Sequence, residues 1–184
     1  MTRVKDEPDG CDWTLDLTQI SAYCPALTPS CLQTLAEAAS VCLEEQGHPL
    51  SVRIALSGFV KGYAHVIRGE VTDQIRRTYA DPGEATEWGA CAIAIGLIRV
   101  LTPSAVISRS YVGTGCDYWI GQGDPIPFHR QARLEVSGIR SSNGAEVRKR
   151  MKLKINQLKV TDGSYPAYIV IVLFSTPEAH MVKL

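Results

Sequence analysis

Two short segments carry residues whose types and spacing could do chemistry. One is Gly113-Thr114-Gly115-Cys116-Asp117-Tyr118-Trp119-Ile120, and the other is Ala132-Arg133-Leu134-Glu135-Val136-Ser137-Gly138. Each has the aromatic and β-branched content of a short strand, and each sets one carboxylate among apolar neighbours. A carboxylate taken out of water is costly unless it is paired, hydrogen-bonded or bound to a metal. Strand alternation over 131–138 points Ala132, Leu134 and Val136 one way and Arg133, Glu135 and Ser137 the other. Asp117 follows a glycine turn, where two backbones can diverge and expose a side chain. If the two strands pair, Asp117 and Glu135 come within bridging distance of one ion. With Glu87 as a third acid, the set suits a hard cation, Mg2+ or Mn2+. Such an ion lowers the pKa of bound water and steadies charge developing on a phosphate.

The elements that must position these acids follow from the pattern. Asp81-Pro82-Gly83 breaks the chain, with Asp81 as a candidate N-cap, and opens a helix over 83–101. Taking Glu87 as origin, Cys91, Ala94, Ile95 and Ile98 recur on its face, so Glu87 is expected at the start of the core-facing side. Glu84 lies at the edge of that face, and both acids also suit the positive end of a helix. Thr102-Pro103 stops the helix. Strands are expected over 105–112, 116–120 and 131–138, the last two separated by a loop holding Gly121, Gly123, Pro125 and Pro127. Ser141-Ser142-Asn143 offers caps for a helix to about residue 159, striped by Val147, Met151, Ile155 and Leu158. A loop over 161–166 leads to the apolar run 167–174, which reads as a strand buried on both faces.

Upstream, Thr28-Pro29 opens a helix carrying Leu32, Leu35, Ala36, Ala39 and Leu43 to about Gln46, and Gly47 ends it. Residues 50–57 and 63–71 read as a hairpin, 73–79 is ambiguous, and 1–26 form an arm packed on the domain. The expected fold class is α/β (α+β). Its centre is a mixed four-stranded sheet in helix–strand–strand–strand–helix–strand order flanked by helices, with an N-terminal helix and hairpin extension. Residues 1–80 form the accessory arm, helix and hairpin, and 81–184 form the core, in one compact domain.

That order, with an acid on its first helix, resembles the PD-(D/E)XK (restriction-endonuclease-like) nuclease superfamily. The resemblance covers about half the chain. It implies that Asp117 matches the acid of the second core strand, Glu135 the acid of the third, and Glu87 the helical acid of many members. It further implies metal-dependent hydrolysis of phosphodiester bonds in nucleic acid, with DNA favoured over RNA. The chain departs from the motif at Ser137, where the superfamily carries a lysine that positions the attacking water and supports charge in the transition state. Serine is neutral and cannot supply that charge. Three solutions stand. The basic group comes from the following helix, with Lys149 and Lys152 as candidates on the face away from its apolar stripe; or Ser137 orients water while the metal supplies the charge; or the scaffold persists without catalysis, as an interaction or assembly module. Structural readings of the same acids also stand: Asp117 accepting hydrogen bonds from the turn, and Glu135 paired with Arg109, Arg133 or another arginine.

Composition narrows the classes. The chain has 184 residues, 45% apolar and 21% charged, and formal net charge zero. That is globular, with no global field to attract nucleic acid. Arg148, Lys149, Arg150, Lys152, Lys154 and Lys159 make one segment basic, a solvated helix face or a phosphate-contacting surface. Cysteines at 11, 24, 31, 42, 91 and 116 form no Cys-x-x-Cys pair, which disfavours structural zinc. The polar N-terminus and the shortness of the longest apolar run point to a cytoplasmic protein with free thiols and no membrane span. Gly113-Thr114-Gly115 lacks the lysine of a phosphate loop. His48, His65, His129 and His180 are scattered, with His129 alone near the expected site. Tyr111, Tyr118 and Trp119 read as core in preference to base-stacking platforms. A homodimer or protein partner is assigned to the N-terminal part, and an unrelated α/β protein with structural acids is the remaining rival.

Overall fold

The computed structural model describes residues 13–122, 129–141, 145–160 and 165–184. The expected caps Ser142 and Asn143, the loop residues Gly123, Pro125 and Pro127, most of the 161–166 loop and the first twelve residues lie outside these. The chain begins with β1 (Trp13–Asp16) and a 3-10 turn (Leu17–Ala22), then α1 (Pro29–Glu45), capped by Thr28, whose hydroxyl accepts from the Cys31 N–H. The hairpin follows as β2 (Ser51–Gly58) and β3 (Gly62–Ile67), then the short α2 (Asp73–Thr78). Next comes α3 (Pro82–Leu101), whose cap Asp81 accepts from the Glu84 N–H at 2.8 Å. The rest is β4 (Ala105–Arg109), β5 (Tyr118–Gly121), β6 (Ala132–Ile139), α4 (Ala145–Val160), β7 (Ala167–Leu173) and β8 (Glu178–Lys183).

All eight strands join one mixed sheet, in the order β1-β3-β2-β8-β7-β6-β5-β4. This corrects the four-stranded sheet expected from the sequence. Strand β8 pairs antiparallel with β7 and parallel with β2, so it welds the N-terminal hairpin to the later strands. The later strands run β4 and β6 antiparallel to β5, with β7 parallel to β6.

Helices α1 and α3 cover one face, where Leu134, Val136, Tyr118, Val170 and Val172 share a core with Leu35, Ile93 and Leu97. The two helices cross closely because Gly89 has no side chain: a Cβ there would lie 2.9 Å from the Ala39 Cα. On the opposite face α4 lies over β6 and β7, and Val147 and Leu158 pack with Trp119, Ile139, Ile169 and Ile171. Strand β7 is buried on both sides, the environment its apolar run requires.

Candidate functional site

Strand parity holds: Leu134 and Val136 join the α3-side core, so Arg133, Glu135 and Ser137 turn towards α4. Tyr118 pairs with Leu134, which puts Asp117 just before β5 and Glu135 just beyond that pairing on β6. Asp117 is clamped through its backbone: its N–H donates to the Leu134 carbonyl at 2.9 Å, and its carbonyl accepts from the Ser110 N–H at 2.8 Å. Its carboxylate turns towards β6, where Oδ2 accepts the Val136 N–H at 2.8 Å. Glu135 is only 2% exposed. Its Oε1 accepts from the Lys154 ammonium in an ion pair and from Gln157 Nε2 at 3.3 Å. One turn along α4, Arg150 Nη1 donates to Ser137 Oγ at 3.2 Å, and Arg150 Nη2 donates to Glu146 at 3.4 Å.

These contacts set the electrostatics. Burial, and after it the negative charge of Asp117, pushes the Glu135 carboxyl up to about 7, against the pull of Lys154 and Gln157. Two like charges are thus held together at one end of the sheet. Burial likewise pushes the Cys91 thiol up to about 12; Cys91 hydrogen-bonds Tyr118 behind the site. A cavity of about 440 Å3 opens over the pair, lined by Asp117, Glu135, Gln157, Arg109, Tyr111 and Cys116 among others. A second, of about 680 Å3, lies along α4 and is lined by Lys149, Arg150, Leu153, Lys154 and Gln157 among others.

The donor set fits a hard divalent cation in kind. Asp117 Oδ1 and Glu135 Oε2 accept no hydrogen bond from any described residue. Magnesium is commonly held by one or two carboxylates with water and phosphate completing its shell.

The structure brings together Asp117 and Glu135 at one cavity; Ser137 shares their face of β6 but lines neither cavity, and Glu87 is elsewhere. Glu87 is exposed on the first turns of α3, and it does not line the cavity. Among the described residues no three His, Cys, Asp or Glu side chains are placed to share a metal. The expectation that Glu87 meets the core fails because α3 is buried on two sides, by α1 and by the sheet. Ala92 to Ile98 are all buried, so its apolar pattern does not single out one face.

Lys149 and Lys152 are also displaced from the expected role. Lys149 lines the neighbouring cavity, whereas Lys152 lines a groove on the far side of α4. The cation at Glu135 is Lys154, not Lys149 or Lys152. The signal was present. Glu146, Arg150, Lys154 and Gln157 form the row directly beside Val147, Met151, Ile155 and Leu158, each one residue earlier. A row beside the buried stripe faces the rim of the sheet, where β6 waits. Glu135 therefore pairs with α4, not with Arg109 or Arg133. Tyr118 and Trp119 are buried as expected, but Tyr111 is 70% exposed at the cavity mouth.

A further polar cluster lies on the same face beyond α4. Ser57 and His180 are register partners on β2 and β8; Ser57 Oγ lies 2.7 Å from His180 Nδ1, and His180 Nε2 lies 2.8 Å from Glu178 Oε2. No family model matches the chain, and neither the curated proteins nor the solved structures hold a significant match to it.

Proposed function

We propose that the chain is a metal-assisted phosphodiesterase of the PD-(D/E)XK nuclease type, acting on nucleic acid with DNA favoured over RNA. One observation carries this reading. Asp117 and Glu135 meet from adjoining strands at one cavity, with the Lys154 ammonium against Glu135. The order of α3, β4, β5, β6, α4 and β7 agrees with it. Asp117 and Glu135 would hold Mg2+ or Mn2+, which supplies an activated water and charge stabilisation at the phosphate. Lys154 takes the part left vacant at Ser137: its ammonium lies beside the carboxylate, suited to orient water and to meet negative charge on the phosphate. Arg150 steadies Ser137 and adds positive charge to the rim. Gln157 helps to fix the Glu135 head through its hydrogen bond to Oε1. The free thiols among the described residues agree with a cytoplasmic setting.

The second reading is a catalytically eroded module that serves interaction or assembly, with its partner surface in the N-terminal half. The same ion pair favours it, since Lys154 meets the charge of Glu135 without a metal ion. Calorimetric titration with Mg2+ and with Mn2+ separates the two. We expect saturable binding to the wild type and its loss in Asp117→Ala and in Glu135→Ala, each checked for folding by thermal melting. A wild type that binds neither ion selects the eroded module.

A further inference from the structure

The cavity over Asp117 and Glu135 has an unusual rim. Tyr111 is 70% exposed and its neighbour Val112 is 104% exposed, the two most exposed large apolar side chains among the described residues. They sit in the turn between β4 and β5, and both line the cavity beside the acids. The turn is braced. Thr114 returns two bonds to the Tyr111 carbonyl, from its N–H at 3.3 Å and its hydroxyl at 2.9 Å, while the Ser110 and Thr114 hydroxyls bond each other. Gly113 at φ +100° and Gly115 at φ +70° supply the left-handed backbone that closes it. An aromatic ring on a braced turn is presented to solvent at little further cost in conformational freedom.

On the other side of the acids, the α4 cavity offers Lys149 and Arg150. The two cavities meet at Gln157, which lines both, and the Lys154–Glu135 pair spans the junction. The surfaces therefore run from a ring, through two acids with Arg109 beside them, to Lys149 and Arg150, the latter paired with Glu146 of the same cavity. A nucleic-acid strand presents matching groups: a base, the phosphate next to it, and the following phosphates.

We propose that the site takes single-stranded DNA, with Tyr111 stacking on an unpaired base adjacent to the phosphate held at Asp117 and Glu135, and Lys149 and Arg150 following the backbone. This deepens the phosphodiesterase reading and rests on it. A base inside a duplex has both faces occupied by its neighbours, so Tyr111 can reach one only after unstacking, at a few kcal/mol. A single strand offers that face freely, and base–aromatic stacking is a common device for holding it.

The test measures affinity of the full chain for a single-stranded oligonucleotide and for a blunt duplex of the same sequence, by fluorescence anisotropy with Ca2+ replacing Mg2+. We expect the wild type to prefer the single strand. Tyr111→Ala should weaken single-strand binding roughly tenfold to a hundredfold, the range of one lost stack, and leave duplex binding within about twofold. Tyr111→Phe should bind like the wild type, since the ring is kept. Because Tyr111 is exposed, both variants should melt with the wild type. Equal losses on the two substrates, no loss in Tyr111→Ala, or a loss in Tyr111→Phe as large as that in Tyr111→Ala would overturn the stacking role. Those results leave the phosphodiesterase reading intact where Mg2+-dependent cleavage is seen and Asp117→Ala abolishes it. A wild type that neither binds nor cleaves DNA ends both.

Discussion

Helix α4 divides one face of the sheet, and the two sides of the helix hold similar side chains in different surroundings. Towards β6, Glu135 is paired with Lys154 and is 2% exposed, while the lysine is 22% exposed. Towards β8, Glu178 is paired with His180, and the two are 40% and 29% exposed. Both glutamates sit on strands, and both reach a basic group. Burial separates them. In the wet cluster each group keeps much of its hydration, and so exposed a hydrogen-bonded pair contributes about 1 kcal/mol or less. In the covered cluster the carboxylate has lost its water, so its protonation and its partner become matters of several kcal/mol. Only the covered side also has a second acid, Asp117, brought in by a turn. A carboxylate under strain from burial and from a like charge has affinity for a cation to gain; an exposed one has little.

Removing the basic side chain on each side puts this difference at risk. At pH 8, where Glu135 is ionised, Lys154→Met leaves a buried charge without its partner and should cost about 3 kcal/mol in urea unfolding. His180→Ala, on the wet side, should cost about 1 kcal/mol or less. Similar losses on the two sides would mean that burial does not set the difference.

Titrating the folded chain sharpens the same point. In the unfolded chain Glu135 ionises at its ordinary 4.5, and in the folded protein at about 7. Between those values the folded state keeps a proton that the unfolded state has released. Low pH therefore favours folding through this group, and the gain is lost as pH rises through 7. Unfolding free energy should fall between pH 4.5 and 7 by about 3 kcal/mol, at about 1.4 kcal/mol for each pH unit. In Glu135→Gln that slope should flatten. A slope unchanged in the variant would assign it to other groups.

Much of this arrangement is legible in the sequence where a local rule applies. Thr28 and Asp81 cap the helices they were expected to cap, and alternation along β6 puts Glu135 and Ser137 on one face. What escaped depends on contacts far apart in the chain. Strand β8 has the alternating pattern of a half-buried strand, but six residues with Glu, His and Lys among them do not declare which neighbours they will join. Only the folded sheet places it between β7 and β2. Strand β1 is four residues long, too short for a period to show. The cation at Glu135 was readable in principle from the row beside the α4 stripe; which of several basic residues closes the pair depends on how far α4 slides along β6. Glu87 lies on the exposed side of α3 for a related reason, since a helix buried on two sides has no single apolar face to read.

The most direct test of the central claim is cleavage of DNA by the purified chain, with and without Mg2+. We expect metal-dependent phosphodiester hydrolysis by the wild type, abolished in Asp117→Ala and in Glu135→Ala. In Lys154→Ala it should fall by at least about a hundredfold, as when one preorganised charge-stabilising donor is lost, while Lys152→Ala should cleave like the wild type. Cleavage that is absent from the wild type, or that survives in Asp117→Ala, would contradict it.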